Sequence, residues 1–264
     1  MEAPSKTVSS AARLRSAELD GAARDASLWQ RFSFWLVLAV FCGMALAWSL
    51  IAALLYPLLP RRLGATVGQF AIMSGFRGGL YLMHLLGVAR FDLRAVDAAR
   101  AAGPSVIACN HLALIDALLV VSRLPRAVLI AKADLWRNPA LAGSMRLAGY
   151  LRNDAPLSLL RAGRDALREG RHVVIFPEGT RGDGRALGPF RPGFAAMAKA
   201  AGVPVQTVLL SSDTPYLGPG WKLTRMPKLP AEYRVRLGRR FTVQGSSVEA
   251  AAAIERYVRA ELFS

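Results

Sequence analysis

Hydrophobic residues are spread unevenly along the chain. The 26 residues from Phe34 to Leu59 include no charged side chain, and as a helix they would measure about 39 Å, enough to cross a hydrocarbon core of ~30 Å. A cleaved signal peptide fits poorly, because the run is long and follows about thirty mostly polar residues. The pattern predicts a membrane anchor, with a buried core helix as the alternative. Gly43, Ser49, Pro57 and Pro60 interrupt or close the run, so it is either a spanning helix or a hairpin within one leaflet.

A second apolar segment, residues 63–88, is rich in glycine and has Arg77 as its only Lys, Arg, Asp or Glu residue. It predicts a helix that lies on the membrane surface or packs on the following domain. From about residue 90, short apolar runs alternate with helical stretches, which is typical of an α/β layered domain. We therefore expect a polar tail (1–30), a membrane anchor with an interfacial helix (31–88) and an α/β domain (89–264).

The alternating pattern predicts individual elements within that domain. We expect a mixed sheet flanked by helices, preceded by the membrane-anchoring helix or hairpin. The predicted strands are 105–108, 127–131, 150–152, 172–176, 203–210 and 233–237. The predicted helices are 113–122, 139–148, about 156–169, 194–201 and a last helix that a Ser246–Glu249 capping box opens.

The formal net charge is +16, which suits nucleic acid, an anionic lipid surface or an anionic substrate. No zinc-finger spacing or RNA-binding aromatic signature accompanies the charge, so no nucleic-acid partner is expected, and the neighbouring anchor favours membrane lipids. Arg61 and Arg62 lead into the basic domain, which predicts that this domain faces the cytoplasm, at the inner membrane if the source is bacterial. Cys42 and Cys109 suggest neither a disulfide framework nor a metal cluster.

Of the three histidines, His111 is the candidate for chemistry. His84 lies among apolar residues and is interpreted as interfacial or packed, whereas His172 begins a strand and is interpreted as structural. His111 lies at a strand-to-helix turn, where α/β enzymes place active sites, and Asp116 follows five positions later. A carboxylate bonded to one ring nitrogen leaves the other free to accept a proton. The alternative is a helix-start aspartate beside an unrelated histidine.

A second candidate segment, Phe176-Pro177-Glu178-Gly179-Thr180-Arg181, follows a predicted buried strand. Arg181 offers a fork of donors suited to phosphate, and Gly179 allows close backbone approach. Glu178 either braces the loop or contacts an acceptor. The alternative is an ordinary polar turn.

These two segments resemble the lysophospholipid and glycerol-phosphate acyltransferase family. Its Asn-His-x4-Asp motif is matched by Asn110, His111 and Asp116, and its Phe-Pro-Glu-Gly-Thr-Arg motif by residues 176–181. The resemblance implies a membrane-bound O-acyltransferase in phospholipid synthesis, with residues 89–264 as its catalytic domain. His111 and Asp116 would be catalytic, and the substrate would be bound by Asn110, Arg152, Glu178, Gly179, Thr180 and Arg181. No metal or cofactor is implied, only a thioester cosubstrate, acyl-CoA or acyl carrier protein.

The acceptor is less firmly indicated than the chemistry. The family implies 1-acylglycerol-3-phosphate (lysophosphatidic acid), but Asn153 stands where a further motif usually has Arg, and Arg152 lies one place early. Another lyso-lipid, an amino-acid-based lipid or a non-catalytic lipid-binding role stay open as alternatives. A serine hydrolase is disfavoured because the chain has no Gly-x-Ser-x-Gly elbow, and metal-dependent hydrolysis because further histidine ligands are lacking. The basic residues between 222 and 240 suit an acidic carrier protein or a lipid surface.

Overall fold

Two long helices open the structure, a computed structural model that describes residues 26–182, 186–214 and 216–263. They are α1 (Leu28–Leu55) and α2 (Arg61–Leu85). Ser27 and Gln30 form a reciprocal capping box, so α1 begins ahead of the uncharged run. The helix continues through the positions expected to interrupt it, and α2 begins directly after Pro60. Most of the predicted polar tail, residues 1–25, lies outside the described residues.

A seven-stranded mixed sheet forms the centre of the domain. Its strand order is β1-β7-β6-β2-β5-β3-β4, and the β6–β7 pair is antiparallel while the other pairs are parallel. The strands are β1 (Ala89–Asp92), β2 (Val106–Cys109), β3 (Ala127–Ala131), β4 (Leu151–Arg152), β5 (His172–Ile175), β6 (Val205–Ser212) and β7 (Ala231–Phe241).

Helices cover both faces of this sheet and give the molecule two hydrophobic cores. Apolar residues of α1 to α5 pack with one face, and those of α6 to α8 pack with the other. The predicted α/β fold with a mixed sheet is confirmed. The remaining helices are α3 (Arg94–Ala101), α4 (Ile115–Val121), α5 (Pro139–Leu147), α6 (Pro156–Arg168), α7 (Gly193–Ala201) and α8 (Ser247–Phe263), and a 3₁₀ turn covers Ala133–Arg137.

The predicted elements are present within one or two residues, except that β7 extends to Phe241, four residues beyond its predicted end. Strand β1 and helix α3 were not predicted. β1 is an edge strand whose partner β7 lies about 140 residues away in the sequence. The capping box at α8 is formed in one direction only, with Ser246 Oγ 3.5 Å from the amide nitrogen of Glu249.

The two N-terminal helices are part of the fold rather than an appendage. Backbone contact between α1 and α5 is so close that a Cβ on Gly143 would lie 1.9 Å from the carbonyl oxygen of Ser49, and the Gly143 amide donates to Ser49 Oγ at 3.0 Å. Near the start of α1, the ring of Phe34 packs edge-on against Tyr216 at 5.9 Å. Helix α2 also packs on the domain, because Gln69 donates to the carbonyl of Ala148 at 2.9 Å.

His172 has the structural environment that the sequence predicted. It is buried at the start of β5, and its Nδ1 lies 3.4 Å from Ser105 Oγ. Burial lowers the pKa of the imidazole to about 4, and the charges of Arg240 and Arg126 add to the effect. His172 is therefore a neutral core residue at physiological pH.

The contact between α1 and α5 gives a matched pair of glycine substitutions. We expect Gly143→Ala to lower the melting temperature in detergent by several degrees, because overpacking of this kind costs ~1–3 kcal/mol. Gly43→Ala on α1 should leave it unchanged or raise it, since a Cβ there meets no atom within 4 Å. Equal melting of the two variants would contradict the described contact.

Candidate active site

The candidate residues meet at one edge of the sheet. Asn110 and His111 follow β2, and residues 176–182 follow β5, which is the direct parallel neighbour of β2. The carboxyl ends of these strands therefore lie side by side, at the edge where α/β folds place their ligands. The structure brings the two sequence motifs into contact.

Asp116 lies in the first turn of α4 and is buried. Its Oδ2 accepts from the amides of Leu112 at 2.7 Å and Ala113 at 2.8 Å, and it lies 3.0 Å from His111 Nδ1. The two sequence-based readings therefore coexist, since one carboxylate both caps the turn before α4 and orients the imidazole. Three donors offset the cost of burying the charge.

The orientation of His111 follows from its contacts on two sides. With Nδ1 against a carboxylate, we assign the ring proton to Nδ1, which leaves Nε2 as the basic nitrogen. Within the described residues Nε2 has no hydrogen-bond partner. The ring also stacks on Phe176 with centroids 4.0 Å apart and planes inclined by 21°. The His111 side chain is 16% exposed to solvent, so a substrate can reach it.

Asn110 acts as a structural bridge. Its Nδ2 donates to the carbonyl of Leu210 at 2.9 Å, and its Oδ1 accepts from the amide of the same residue at 2.8 Å. The buried side chain thus continues the pairing of β2 with β6 by one residue. Because both ends of the amide are engaged, Asn110 steadies the turn before His111 rather than facing a substrate.

Glu178 braces the loop after β5. One carboxylate oxygen accepts from the backbone amide of His111 at 2.9 Å, and the other accepts from Gly188 at 2.9 Å. In return, the Gly182 amide donates to the carbonyl of His111 at 2.7 Å. Burial raises the pKa of the Glu178 carboxyl, and the two amide donors partly offset this shift. Glu178 therefore ties the two motif segments together through backbone bonds.

The rest of this loop presents donors at the same edge. Gly179 has a positive φ of 72°, and its amide closes a turn on the carbonyl of Phe176 at 3.0 Å. The Thr180 amide has no partner among the described residues. Arg181 is exposed, and its Nη1 donates to the carbonyls of Leu217 at 2.8 Å and Gly218 at 3.4 Å. Since a guanidinium has five N–H donors, Arg181 keeps others for an anion.

Arg152 stands on a strand farther from β2 than the strands that precede the other candidates. It ends β4, the outermost strand, which β3 and β5 separate from β2. Its guanidinium pairs with Asp154 and lies 5.9 Å from the centroid of Trp136. The neighbouring Asn153 fastens β4 to the 3₁₀ turn, because its Oδ1 accepts from the Ala133 amide at 3.2 Å.

Two cations near this edge were missed by the sequence analysis. Lys132 directly follows β3, is exposed and forms no ion pair with the described residues. Arg191 has its guanidinium beside Gly179, where a Cβ would lie 3.3 Å from Arg191 Cζ. A lysine immediately after a buried strand was a usable signal, whereas the position of Arg191 depends on the return of its loop.

The described residues include no group of three or more His, Cys, Asp or Glu side chains that could hold a metal ion. Cys109 is buried at the end of β2, and burial together with the charge of Asp116 raises its pKa well above the usual range. This thiol is therefore protonated and inert as a nucleophile.

Comparison with known proteins bears on this site. A family model described as Acyltransferase matches residues 90–211. The chain is 32% identical over 187 residues to the human 1-acyl-sn-glycerol-3-phosphate acyltransferase beta, covering 68% of this chain and 65% of that protein. It is 24% identical to the 1-acyl-sn-glycerol-3-phosphate acyltransferase of Pseudomonas aeruginosa, covering 86% of each. The chain thus spans slightly less than two thirds of the human relative.

The fold also matches a solved structure. The crystal structure of the 1-acyl-sn-glycerophosphate acyltransferase PlsC from Thermotoga maritima superimposes with a TM-score of 0.65, covering 91% of this chain and 96% of that one. At 19% identity this match establishes the fold alone. The family model, the relatives and the paired motifs together lead to one conclusion: the chain belongs to the acyltransferase family.

Proposed function

We propose that the protein is an acyltransferase that moves a fatty acyl group from a thioester donor to the free hydroxyl of 1-acylglycerol-3-phosphate. The observation that carries the proposal is the His111–Asp116 pair, with Nε2 free at the edge where Arg181 presents its donors. The names of the relatives supply the acceptor. The same geometry would serve another phosphate-bearing lyso-lipid, so the identity of the acceptor needs its own test.

In the proposed reaction His111 acts as a general base. Nε2 takes the proton of the acceptor hydroxyl as its oxygen attacks the thioester carbonyl. The resulting tetrahedral oxyanion collapses, the carbon–sulfur bond breaks, and the proton passes from Nε2 to the departing thiolate. Asp116 stabilises the charged imidazolium in between. Positioned bases of this kind typically contribute ~10²- to 10⁴-fold in rate.

Phosphate binding is assigned to the cations at this edge. Arg181 supplies the guanidinium fork, with Lys132 and Arg191 adding positive charge beside it. Arg152 takes a smaller part in the proposal than the sequence indicated, because it is paired with Asp154 on the outermost strand. Holding the phosphate positions the hydroxyl for attack, which is how remote binding energy aids the rate.

The donor is acyl-CoA or acyl carrier protein, and both suit a chain of net charge +16. The amide of Thr180 is the best candidate for stabilising the oxyanion, since it has no partner among the described residues. The Gly179 amide is less suited, because it already bonds to Phe176.

We further propose that α1 and α2 hold the enzyme on the cytoplasmic face of a membrane, within one leaflet. Over the most apolar part of α1, mean hydropathy is 2.3 and 17% of the residues are buried. Large side chains along it are therefore exposed, Trp35, Met44 and Leu50 among them. Yet α1 contacts the catalytic domain at both Phe34 and Ser49, about 22 Å apart along the helix. A helix attached along this length lies beside the domain rather than crossing the bilayer away from it.

The base is tested by His111→Ala and Asp116→Asn. We expect His111→Ala to lower kcat at least 10²-fold and Asp116→Asn to lower it strongly, measured as phosphatidic acid formed from lysophosphatidic acid with either donor. Asp165→Asn, an exposed aspartate on α6, is the matched control. Undiminished turnover by His111→Ala would overturn the mechanism and favour a lipid-binding role. Wild-type turnover of other lyso-lipids but not lysophosphatidic acid would overturn the acceptor.

The role of the Glu178 carboxylate in joining the two motif segments is tested by Glu178→Gln. The amide nitrogen of glutamine cannot accept a hydrogen bond, so the amide of either His111 or Gly188 loses its partner. We expect kcat to fall roughly tenfold or more with a smaller change in KM, because the cost of an unpaired donor is ~1–3 kcal/mol. The exposed Glu249→Gln on α8 is the control. A large rise in KM at unchanged kcat would instead indicate that Glu178 contacts the acceptor.

The anchor is tested by labelling single cysteines with a membrane-impermeant maleimide. In a Cys42→Ser background, with Cys109 buried, Ala26→Cys before α1 and Arg62→Cys at the start of α2 should react from the same side of sealed proteoliposomes. Arg94→Cys marks the side of the catalytic domain. If Ala26→Cys reacts only after permeabilisation while Arg94→Cys reacts before it, α1 crosses the membrane.

A further inference from the structure

A groove of about 680 Å³ runs along one face of α2, away from the active site. We call it the α2 groove, and its lining includes Phe70, Arg77, Tyr81 and His84 of α2, Phe91 of β1, and Arg123 after α4. From Phe70 to His84 the helix advances about 21 Å. The groove is therefore long enough for a polar headgroup and part of a hydrocarbon chain.

This groove is separate from the catalytic edge. Asp116 lies in the first turn of α4, whereas Arg123 lies beyond its last residue, about 10 Å along the helix axis. None of the residues that line the groove is among the candidate catalytic or phosphate-binding residues. The mechanism described above makes no use of it.

The walls combine positive charge with exposed aromatic rings. Arg77 is exposed and forms no hydrogen bond or ion pair with the described residues. Arg123 pairs with Asp97 at 3.3 Å but retains 30% of its exposure. No aspartate or glutamate side chain lines the groove. An arginine with no acidic partner among the described residues, on a helix face that is mostly apolar, marks a place for an anion.

The aromatic residues favour a lipid over a soluble anion. Phe70 and Tyr81 are 58% and 67% exposed, although both have large, mainly apolar side chains. Exposed aromatic rings beside cations are characteristic of the headgroup region of a bilayer. Helix α2 also packs against α1, whose outer face is apolar. The site therefore matches an amphiphile whose phosphate meets the arginines and whose chain lies along the rings.

We propose that the α2 groove binds an anionic phospholipid as an accessory site, with its phosphate between Arg77 and Arg123 and a chain against Phe70 and Phe91. This proposal rests on the proposed placement of α1 and α2 at the membrane, and it does not depend on the proposed reaction. It would let anionic lipids act on the enzyme without being substrates.

The test uses the full-length protein in a neutral detergent, with bound lipids counted by native mass spectrometry. The probe is phosphatidylglycerol, an anionic phosphodiester with both acyl positions filled, so it lacks the phosphomonoester and the free sn-2 hydroxyl of lysophosphatidic acid. We expect one phosphatidylglycerol to be retained in preference to phosphatidylcholine. Arg77→Ala should weaken this binding about tenfold, the range for losing a charged hydrogen bond. Arg62→Ala, on the same helix outside the groove, is the matched control.

A second variant fills the groove without removing charge. Gly78 also lines the α2 groove, and a Cβ there meets no atom within 4 Å, so Gly78→Leu should leave α2 able to form normally. It should weaken phosphatidylglycerol binding while Arg77 is intact. His111→Ala should bind the lipid like the wild type, which separates this site from the proposed mechanism.

Three results would overturn the proposal. Unchanged binding by both Arg77→Ala and Gly78→Leu would exclude the groove as the site. An equal loss in Arg62→Ala would point to diffuse charge attraction. Displacement of the lipid by glycerol 3-phosphate at equal concentration would mean that the hydrocarbon chain contributes nothing.

Discussion

One carboxylate oxygen, Asp116 Oδ2, organises the active site. Two backbone amides of the turn before α4 and the imidazole of His111 all lie within 3.0 Å of it. The atom that starts the helix is therefore the atom that selects the tautomer of the base. A buried carboxylate is tolerated only when donors surround it, and here the donors are the parts of the site that must be held still. The position of His111 and the start of α4 cannot change independently.

The loop after β5 is held to the turn after β2 by hydrogen bonds of the same kind, from backbone amides to carboxylate or carbonyl oxygens. Glu178 accepts from the amide of His111, while the carbonyl of His111 accepts from Gly182. The Leu217 carbonyl then accepts from both Arg181 and the Leu114 amide. Three segments distant in sequence are thus joined through backbone groups. Most polar atoms of the described part of the site are satisfied internally. Among the described residues, the groups left for a substrate are Nε2 of His111, the Thr180 amide and the cations at the edge.

Much of this arrangement could be predicted from the sequence because it depends on local signals. Buried parallel strands such as β2 and β5 are short runs in which apolar residues predominate. The spacing of His111 and Asp116 falls within one turn and the start of the next helix. What was missed depends on distant pairing. Lys132 is near the site because β3 pairs with β5, and β1 forms a strand because it pairs with β7. The position of Arg152 also depends on distant pairing, since only the strand order places β4 at the outer edge.

The close packing of the N-terminal helices has a consequence for catalysis. A tether that only kept the enzyme near a membrane would need no contact with the active-site loops. In this chain Phe34 of α1 packs on Tyr216. The residue after Tyr216 is Leu217, whose carbonyl accepts a hydrogen bond from Arg181 and another from the turn before α4. The apolar helix is therefore joined to Arg181, the arginine proposed to bind phosphate, through two side-chain contacts. Such a connection makes the position of α1 part of the geometry of the site. With α1 anchored as proposed, it would also fix the depth at which the catalytic edge meets the bilayer.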